Sequence, residues 1–392
     1  MRNNIIQIIK QESNNIVKEI ILIRRHIHKY PELSFQEIAT SNYIEKILQE
    51  NGIETDRSLG YNSVIGIIRK NNENNFVALR ADIDALPIEE ETNCDFKSVN
   101  SGIMHACGHD AHAATLIGVG IILKKLVEYS KNNILLLFQP AEEKNPGGAK
   151  LLIDNGLLEK YNIKKIIAQH VDPEIETGSF SFGKGRLMAS SDELYLTFSG
   201  IGGHAAMPQK RSDSVLAAIN FINQANIFQK KINVKTPSII AFGKVIANGA
   251  VNVIPEKTFV EGTIRTYDEN VRNEIKIFLK KIAQNFALEY KCEVSFEISE
   301  GYPSLLNNDK LFDEIFSLSE LFLNKKNIFP LQQRMTSEDF AWYSKKIPAI
   351  LYRTGVSSNK TQNFGLHNPK FQIEESFFEG AVGLMSFLGI SL

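Results

Sequence analysis

Cysteine is scarce. The 392-residue chain has only Cys94, Cys107 and Cys292, an odd and small set that forms no disulfide framework and fits a reducing, cytoplasmic setting. Excess charge of either sign is also missing: 44 Lys and Arg face 45 Asp and Glu, a formal charge of -1. That balance gives no electrostatic reason to expect nucleic acid or an anionic membrane as partner. Apolar runs such as Ile134–Phe138 fall far short of a bilayer span. Residues 1–20 mix Ile with Asn, Gln, Lys and Glu, without the apolar core and small-residue cleavage site of a signal peptide. No internal repeat or low-complexity linker divides the chain. At 43% hydrophobic and 23% charged residues, the composition is that of a globular protein long enough for two domains.

Residues 16–29 carry the spacing of an amphipathic helix that ends before Pro31. Ser34 and Glu37 have the spacing of a capping box for a second helix, stopping at Asn51-Gly52. Two β-branched runs follow, 63–68 and 76–81. Helix from His109 to Leu126, strand at 134–138, a short helix from Gly148 and strand at 166–168 then alternate. This alternation predicts a mixed α/β domain, a sheet covered by helices on both faces. From 194 to 298 the order becomes β-α-β-β-α-β, the split ferredoxin-like arrangement. The expected organisation is a catalytic domain at 1–188 and 301–392, interrupted by an inserted ferredoxin-like domain at 189–300.

The chemistry-bearing residues gather where this scheme puts strand ends. The 76–81 strand runs into Asp82 and Asp84, the 134–138 strand into Glu142 and Glu143, and the 166–168 strand into His170. Open α/β sheets build sites at such carboxyl ends. Cys107, His109, Asp110 and His112 add a cluster at a helix start. Each has a bland reading: Cys107 as a small core residue, Glu142-Glu143 as an acidic helix start, His109, His112 and His170 as satisfied structural histidines. Together they read as a metal site.

Met-His-Ala-Cys-Gly-His-Asp at 104–110, Phe-Gln-Pro-Ala-Glu-Glu at 138–143 and Arg-Ala-Asp-Ile-Asp-Ala-Leu-Pro at 80–87 resemble the M20 metallopeptidase family. Gly-Gly-His-Ala-Ala-Met-Pro at 202–208, Asn-Val-Ile-Pro at 252–255, Ser-Glu-Asp-Phe at 337–340 and Leu-His-Asn at 366–368 extend the match across the chain. More narrowly, the set is similar to the amidohydrolase branch: hippurate hydrolases, N-acyl-amino-acid deacylases, N-acetyldiaminopimelate deacetylases and auxin-conjugate hydrolases.

This resemblance implies two divalent ions per subunit, zinc or manganese, with cobalt and nickel compatible, held by Cys107, His109, Glu143, His170 and His367. It implies Glu142 as general base and Asp84 as the carboxylate that orients the site. The peptidase branches have a metal-binding His where this chain has Asp82, which leaves Asp82 an open question; His105 and His112 are expected to support ligands rather than bind. His204 and Asn252 match lid residues that hold the scissile carbonyl, often in the partner's site, so a homodimer through the inserted domain is implied. Arg265 and Arg353 offer guanidinium groups suited to a substrate carboxylate, or serve as structural arginines. The activity implied is hydrolysis of N-acyl amino acids; the alternatives are an M20-type dipeptidase or exopeptidase, a Cys107-nucleophile hydrolase, and a binding protein without catalysis.

Overall fold

The computed structural model describes residues 2–234, 236–358 and 364–392. In chain order its elements begin α1 (Arg2–Lys29), α2 (Ile38–Glu50), β1 (Glu54–Asp56), β2 (Val64–Ile68), β3 (Phe76–Asp82) and α3 (His109–Lys125). They continue with β4 (Asn133–Gln139), α4 (Gly148–Asp154), α5 (Leu157–Tyr161), β5 (Ile163–Glu176), β6 (Phe180–Phe182) and β7 (Gly185–Met188). Next come β8 (Ser190–Ser199), β9 (Gly203–His204), α6 (Ser214–Ile232), β10 (Ser238–Ile246), β11 (Val253–Ile254), β12 (Lys257–Thr266), α7 (Glu269–Glu289) and β13 (Glu293–Glu300). The chain ends with β14 (Leu305–Asn307), α8 (Asp309–Phe322), β15 (Ile328–Pro330), α9 (Ala341–Ser344), β16 (Ala349–Ser357) and α10 (Phe377–Ser391). No helix among the described residues is long and apolar enough to cross a membrane.

Two compact units divide the chain. The first comprises residues 1–185, 306–332 and 339–392; the second comprises 186–305 and 333–338. The first is a mixed α/β unit around an eight-stranded sheet of order β1-β2-β4-β3-β5-β16-β6-β15. Its centre is parallel, β4 with β3, β3 with β5 and β5 with β16, and its strands are buried along almost their whole length. That is why they read as continuous apolar runs rather than alternating ones. Helix α3 is also buried nearly throughout, apolar on every side, and packs against α1, α10 and the sheet.

Helix α1 begins about four turns before the expected residue 16. Ile5, Ile9, Ile16, Ile20, Ile23 and Ile27 are all buried along one stripe, which the Asn and Gln between them disguise in the sequence. The expected capping box is not formed. Ser34 Oγ donates instead to Asp84 Oδ2 at 2.6 Å, and Glu37 Oε1 accepts from the backbone of Phe35 and Ala141. The first turn of α2 is satisfied by Glu32, whose carboxylate accepts from Ala39 and Thr40. A buried carboxylate needs donors more than a surface helix needs its cap, and Ser34 answers that need.

The second unit carries the four-stranded antiparallel sheet β10-β12-β8-β13 with α6 and α7 packed on it. Leu194, Leu196 and Phe198 of β8 alternate inward onto Phe221 and Ala225 of α6 and Ile275 and Leu279 of α7. The residues between them face away from this core. Asp213 and Asp268 cap α6 and α7 by accepting from backbone N–H groups of their first turns.

Candidate metal centre

Strand β3 ends in Asp82 and β4 leads into Glu142-Glu143, as the motif spacing predicts. His170 differs: it lies in the middle of β5, which runs 14 residues from Ile163 rather than ending near Ala168. In parallel register it sits beside Arg353 of β16. Gly108 separates Cys107 from His109 with φ 82, and a Cβ there would come within 2.6 Å of Val171 Cγ2. Only glycine provides this turn, which brings a loop thiol and a helical imidazole to one place.

Donor atoms of Cys107, His109 and His170 lie within 4.8 Å of one another; so do those of Cys107, Glu143 and His367, and of His109, Glu142 and Glu143. Cys107 Sγ is 3.7 Å from His170 Nε2, and Glu143 Oε1 is 3.2 Å from His367 Nε2. The five expected ligands therefore form one cluster with Glu142 beside it. His367 adopts φ 62, an uncommon conformation for a residue with a Cβ, and is the most exposed of the five.

Neighbouring groups orient the ring nitrogens. His109 Nδ1 donates to Asp84 Oδ1 at 3.1 Å and His170 Nδ1 donates to the Val171 carbonyl at 2.8 Å, so both present Nε2 to the cluster. Asp84 Oδ2 also accepts from the Glu143 backbone N–H at 3.0 Å. His112 is held differently. Its Nδ1 donates to Asp82 Oδ1 at 2.6 Å while Nε2 accepts from Val171 N, leaving no nitrogen for a metal. Asp82 gives its other oxygen to Arg80 at 2.7 Å. Each oxygen thus has a protein partner, tying Asp82 to His112 and Arg80, and Oδ1 also lies 3.8 Å from His109 Nε2. His105 is buried with neither ring nitrogen hydrogen-bonded, and burial pulls it down to about 4.

The electrostatics call for cations. Among the described residues, His109 Nε2 is buried without a hydrogen-bond partner, and Glu143 Oε1 has only His367 Nε2 within reach, at 3.2 Å. Burial lowers His109, yet Asp82 and the Cys107 sulfur outweigh it and hold the imidazole well above its usual range. Hydrogen bonds to Cys107 and Glu143 push His367 up to about 10. At both positions the surrounding carboxylates and thiol favour positive charge. His170, desolvated and facing His112 and Arg353, is held neutral with a lone pair available. Thiol, imidazole and carboxylate donors with orphaned buried atoms fit borderline divalent ions. Burial and Glu143 raise the Cys107 thiol, the opposite of what a nucleophilic cysteine requires.

The remaining expected residues are in the second unit, apart from Arg353. His204 and Val253 pair across the β9–β11 ribbon, and Ala205 N donates to the Asn252 carbonyl at 2.9 Å. His204 and Asn252 are thus brought together, both exposed. His204 Nδ1 accepts from Ala206 N at 3.1 Å, which puts the ring proton on Nε2. Arg265 is half-buried and donates to Ser337 Oγ at 2.7 Å. Arg353 is buried, which excludes a surface role.

Sequence reading missed Ser34 and Glu37 as neighbours of the site, because their spacing mimics a helix cap. Asp110, grouped in sequence with the helix-start cluster, turns elsewhere: its buried carboxylate accepts from Arg24 Nε at 2.6 Å and His28 Nδ1 at 2.8 Å.

Residues 78–389 match peptidase family M20/M25/M40. The chain belongs to this family. It is 35% identical over 95% of its length to the N-acetyl-L-cysteine deacetylase of Bacillus subtilis, covering 89% of that protein. It is 33% identical over 95% of its length to thermostable carboxypeptidase 1 of Saccharolobus solfataricus, covering 95% of that protein. It is 34% identical over 94% of its length to the N-acetyldiaminopimelate deacetylase of Priestia megaterium, covering 96% of that protein. A solved structure of a Bacillus subtilis dinuclear metal binding peptidase from the M20 family superposes with TM-score 0.83 at 30% identity, covering 96% of this chain and 98% of that one. The structure gathers the donor atoms of the five expected residues and shows what Asp82, Asp84 and His112 bond to beside them.

Proposed function

We propose that this M20 enzyme hydrolyses the amide bond of N-acyl amino acids, releasing a carboxylic acid and a free amino acid. The observation that carries this reading is the convergence of Cys107, His109, Glu143, His170 and His367, with Glu142 alongside. These five residues would hold two divalent ions, zinc or manganese in the first instance, with cobalt or nickel compatible. Bound ions supply Lewis acidity for the amide carbonyl and make a water a strong nucleophile at neutral pH.

Glu142 takes the proton of the attacking water and delivers it to the leaving nitrogen, as base and then acid. It is 6% exposed and its Oε1 lies 3.4 Å from the Asp339 backbone N–H, which steadies the carboxylate. Asp84 holds His109 in its ligating tautomer and fixes the Glu143 backbone through one carboxylate. His204 and Asn252 bind the scissile carbonyl, with Arg265 or Arg353 pairing with the substrate carboxylate. The second unit, with β-α-β-β-α-β succession and sheet order matching the ferredoxin-like arrangement, serves as inserted lid and dimerisation domain. Two relatives named as deacetylases support the acyl-amino-acid reading; the carboxypeptidase name supports exopeptidase action as the second reading.

A panel of acetyl, benzoyl and succinyl amino acids beside unblocked dipeptides separates the two, with metal measured on the same sample. Turnover of blocked substrates, abolished by chelation and restored by metal, is expected. Preference for dipeptides would transfer the assignment to the exopeptidase. Activity that survives chelation but not thiol alkylation would overturn the metal mechanism.

A further inference from the structure

A second group of potential ligands lies elsewhere in the first unit and shares no residue with the Cys107 cluster. His28 projects from α1, while Glu90 and Cys94 come from the long irregular segment between β3 and α3. Their donor atoms lie within 4.8 Å of one another. We propose that His28, Glu90 and Cys94 form a third divalent-cation site, suited to a zinc-class ion.

The spacing fits such an ion. His28 Nε2 is 3.2 Å from Glu90 Oε1, and Cys94 Sγ is 3.7 Å from the same oxygen. A tetrahedral zinc with ordinary bond lengths has N···O edges of about 3.3 Å and S···O edges of about 3.5 Å. Glu90 Oε1 also accepts from the Thr92 hydroxyl. Three donors thus crowd one oxygen, and a cation would replace the protons of two of them.

Two of the three ligands are also aimed from behind. His28 Nδ1 donates to Asp110 Oδ2 at 2.8 Å, the carboxylate–histidine arrangement that leaves Nε2 for a metal. Glu90 Oε2 accepts from Ser98 N at 2.7 Å, which turns Oε1 inward. Arg24, whose Nη2 lies 3.3 Å from His28 Nδ1 on the side away from Glu90, is paired with Asp110 at 2.6 Å and Glu375 at 3.3 Å. A cavity of about 220 Å³ borders His28, Glu90 and Cys94, with room for water in the fourth position.

Binding breaks the Cys94 S–H bond and the His28 Nε2–H bond, forms S–metal and N–metal bonds, and releases both protons to solvent. No oxidant or reductant is involved. The ion would clip the 83–108 segment to α1.

The test uses the enzyme with its Cys107 centre already loaded. It is dialysed against rising free Zn²⁺, bound metal is counted, and alkylation of Cys94 and Cys292 is followed by peptide mass spectrometry. One further ion per chain is expected in the wild type and none in Cys94→Ala, whose loaded centre stays intact. The same Zn²⁺ should slow alkylation of Cys94 and leave that of Cys292 unchanged, a comparison within the wild-type chain that needs no variant. Retention of the extra ion by Cys94→Ala, unchanged Cys94 alkylation, or no extra ion at any Zn²⁺ concentration would overturn the site. None of these readouts depends on the substrate, so they stand apart from the proposed activity.

Discussion

Asp84→Asn isolates the orienting carboxylate without changing its size. Asp84 receives three hydrogen bonds: His109 Nδ1 on Oδ1, and Ser34 Oγ and the Glu143 N–H on Oδ2. An asparagine amide has one acceptor oxygen and one donor nitrogen. The oxygen should take the Oδ2 position, where it keeps two bonds rather than one. The NH₂ group then faces His109 Nδ1, which must become an acceptor, and the ring proton moves to Nε2, the atom that would hold the metal. The reverse orientation sets two N–H donors against each other at Glu143, at a cost of about 1–3 kcal/mol for the buried mismatch. Comparable losses of an outer partner weaken metal sites by about 10- to 100-fold, or about 1.4–2.7 kcal/mol. The assay is metal retention during dialysis against buffered free zinc, with turnover and denaturant unfolding measured on the same preparation. Wild-type retention and wild-type turnover together would refute the tautomer argument. Unfolding of the metal-free variant at ordinary temperature would show that Asp84 holds the fold instead.

Glu142→Gln should lower kcat by about 100- to 10,000-fold while metal content stays at the wild-type level; loss of metal would make Glu142 a ligand. His367→Ala should bind one fewer ion or bind it more weakly, and full occupancy by elemental analysis would remove His367 from the set. Burial, reinforced by the Asp84 charge, raises Glu37 from its ordinary 4.5 to about 7. This acid gains a proton on folding, so its stabilisation is complete below pH 4.5 and lost as pH rises through 7. Wild type should therefore lose up to roughly 3 kcal/mol across that window relative to Glu37→Gln; parallel stability–pH curves would contradict the assignment. If His204 serves the partner's site, mixing inactive Glu142→Gln and His204→Ala chains should restore activity at about a quarter of all sites after random exchange. Proven exchange without recovery would place His204 in its own subunit's site.

The strands were legible because their residues are buried on both faces and leave unbroken apolar runs, as in Ile134–Phe138. Cys107, His109, Glu143, His170 and His367 were legible only as motifs; nothing local says that His367 meets Glu143, 224 positions away. Polar residues with two local uses were misread. Ser34 and Glu37 look like a helix cap until a buried carboxylate claims the hydroxyl. Asp82, left open by its motif, is bonded by Arg80 and His112 through its two oxygens. Ile5 and Ile9 went unread because their stripe runs through Asn and Gln, and only contact with the rest of the core makes it continuous. For Ser34 and for the Ile5–Ile9 stripe the deciding partner is distant in sequence, and its charge or surface outweighs the local preference.

The opening turn of α3 constrains how this protein can change. His109, Asp110 and His112 leave one helical turn toward Asp84, Arg24 with His28, and Asp82. Successive residues of a helix are separated by about 100° of rotation. One inserted or deleted residue there would misdirect all three side chains at once, and no single compensating substitution could recover them. The exposed Asn-rich turn at 71–74 should accept a changed length, whereas 107–112 requires a fixed one.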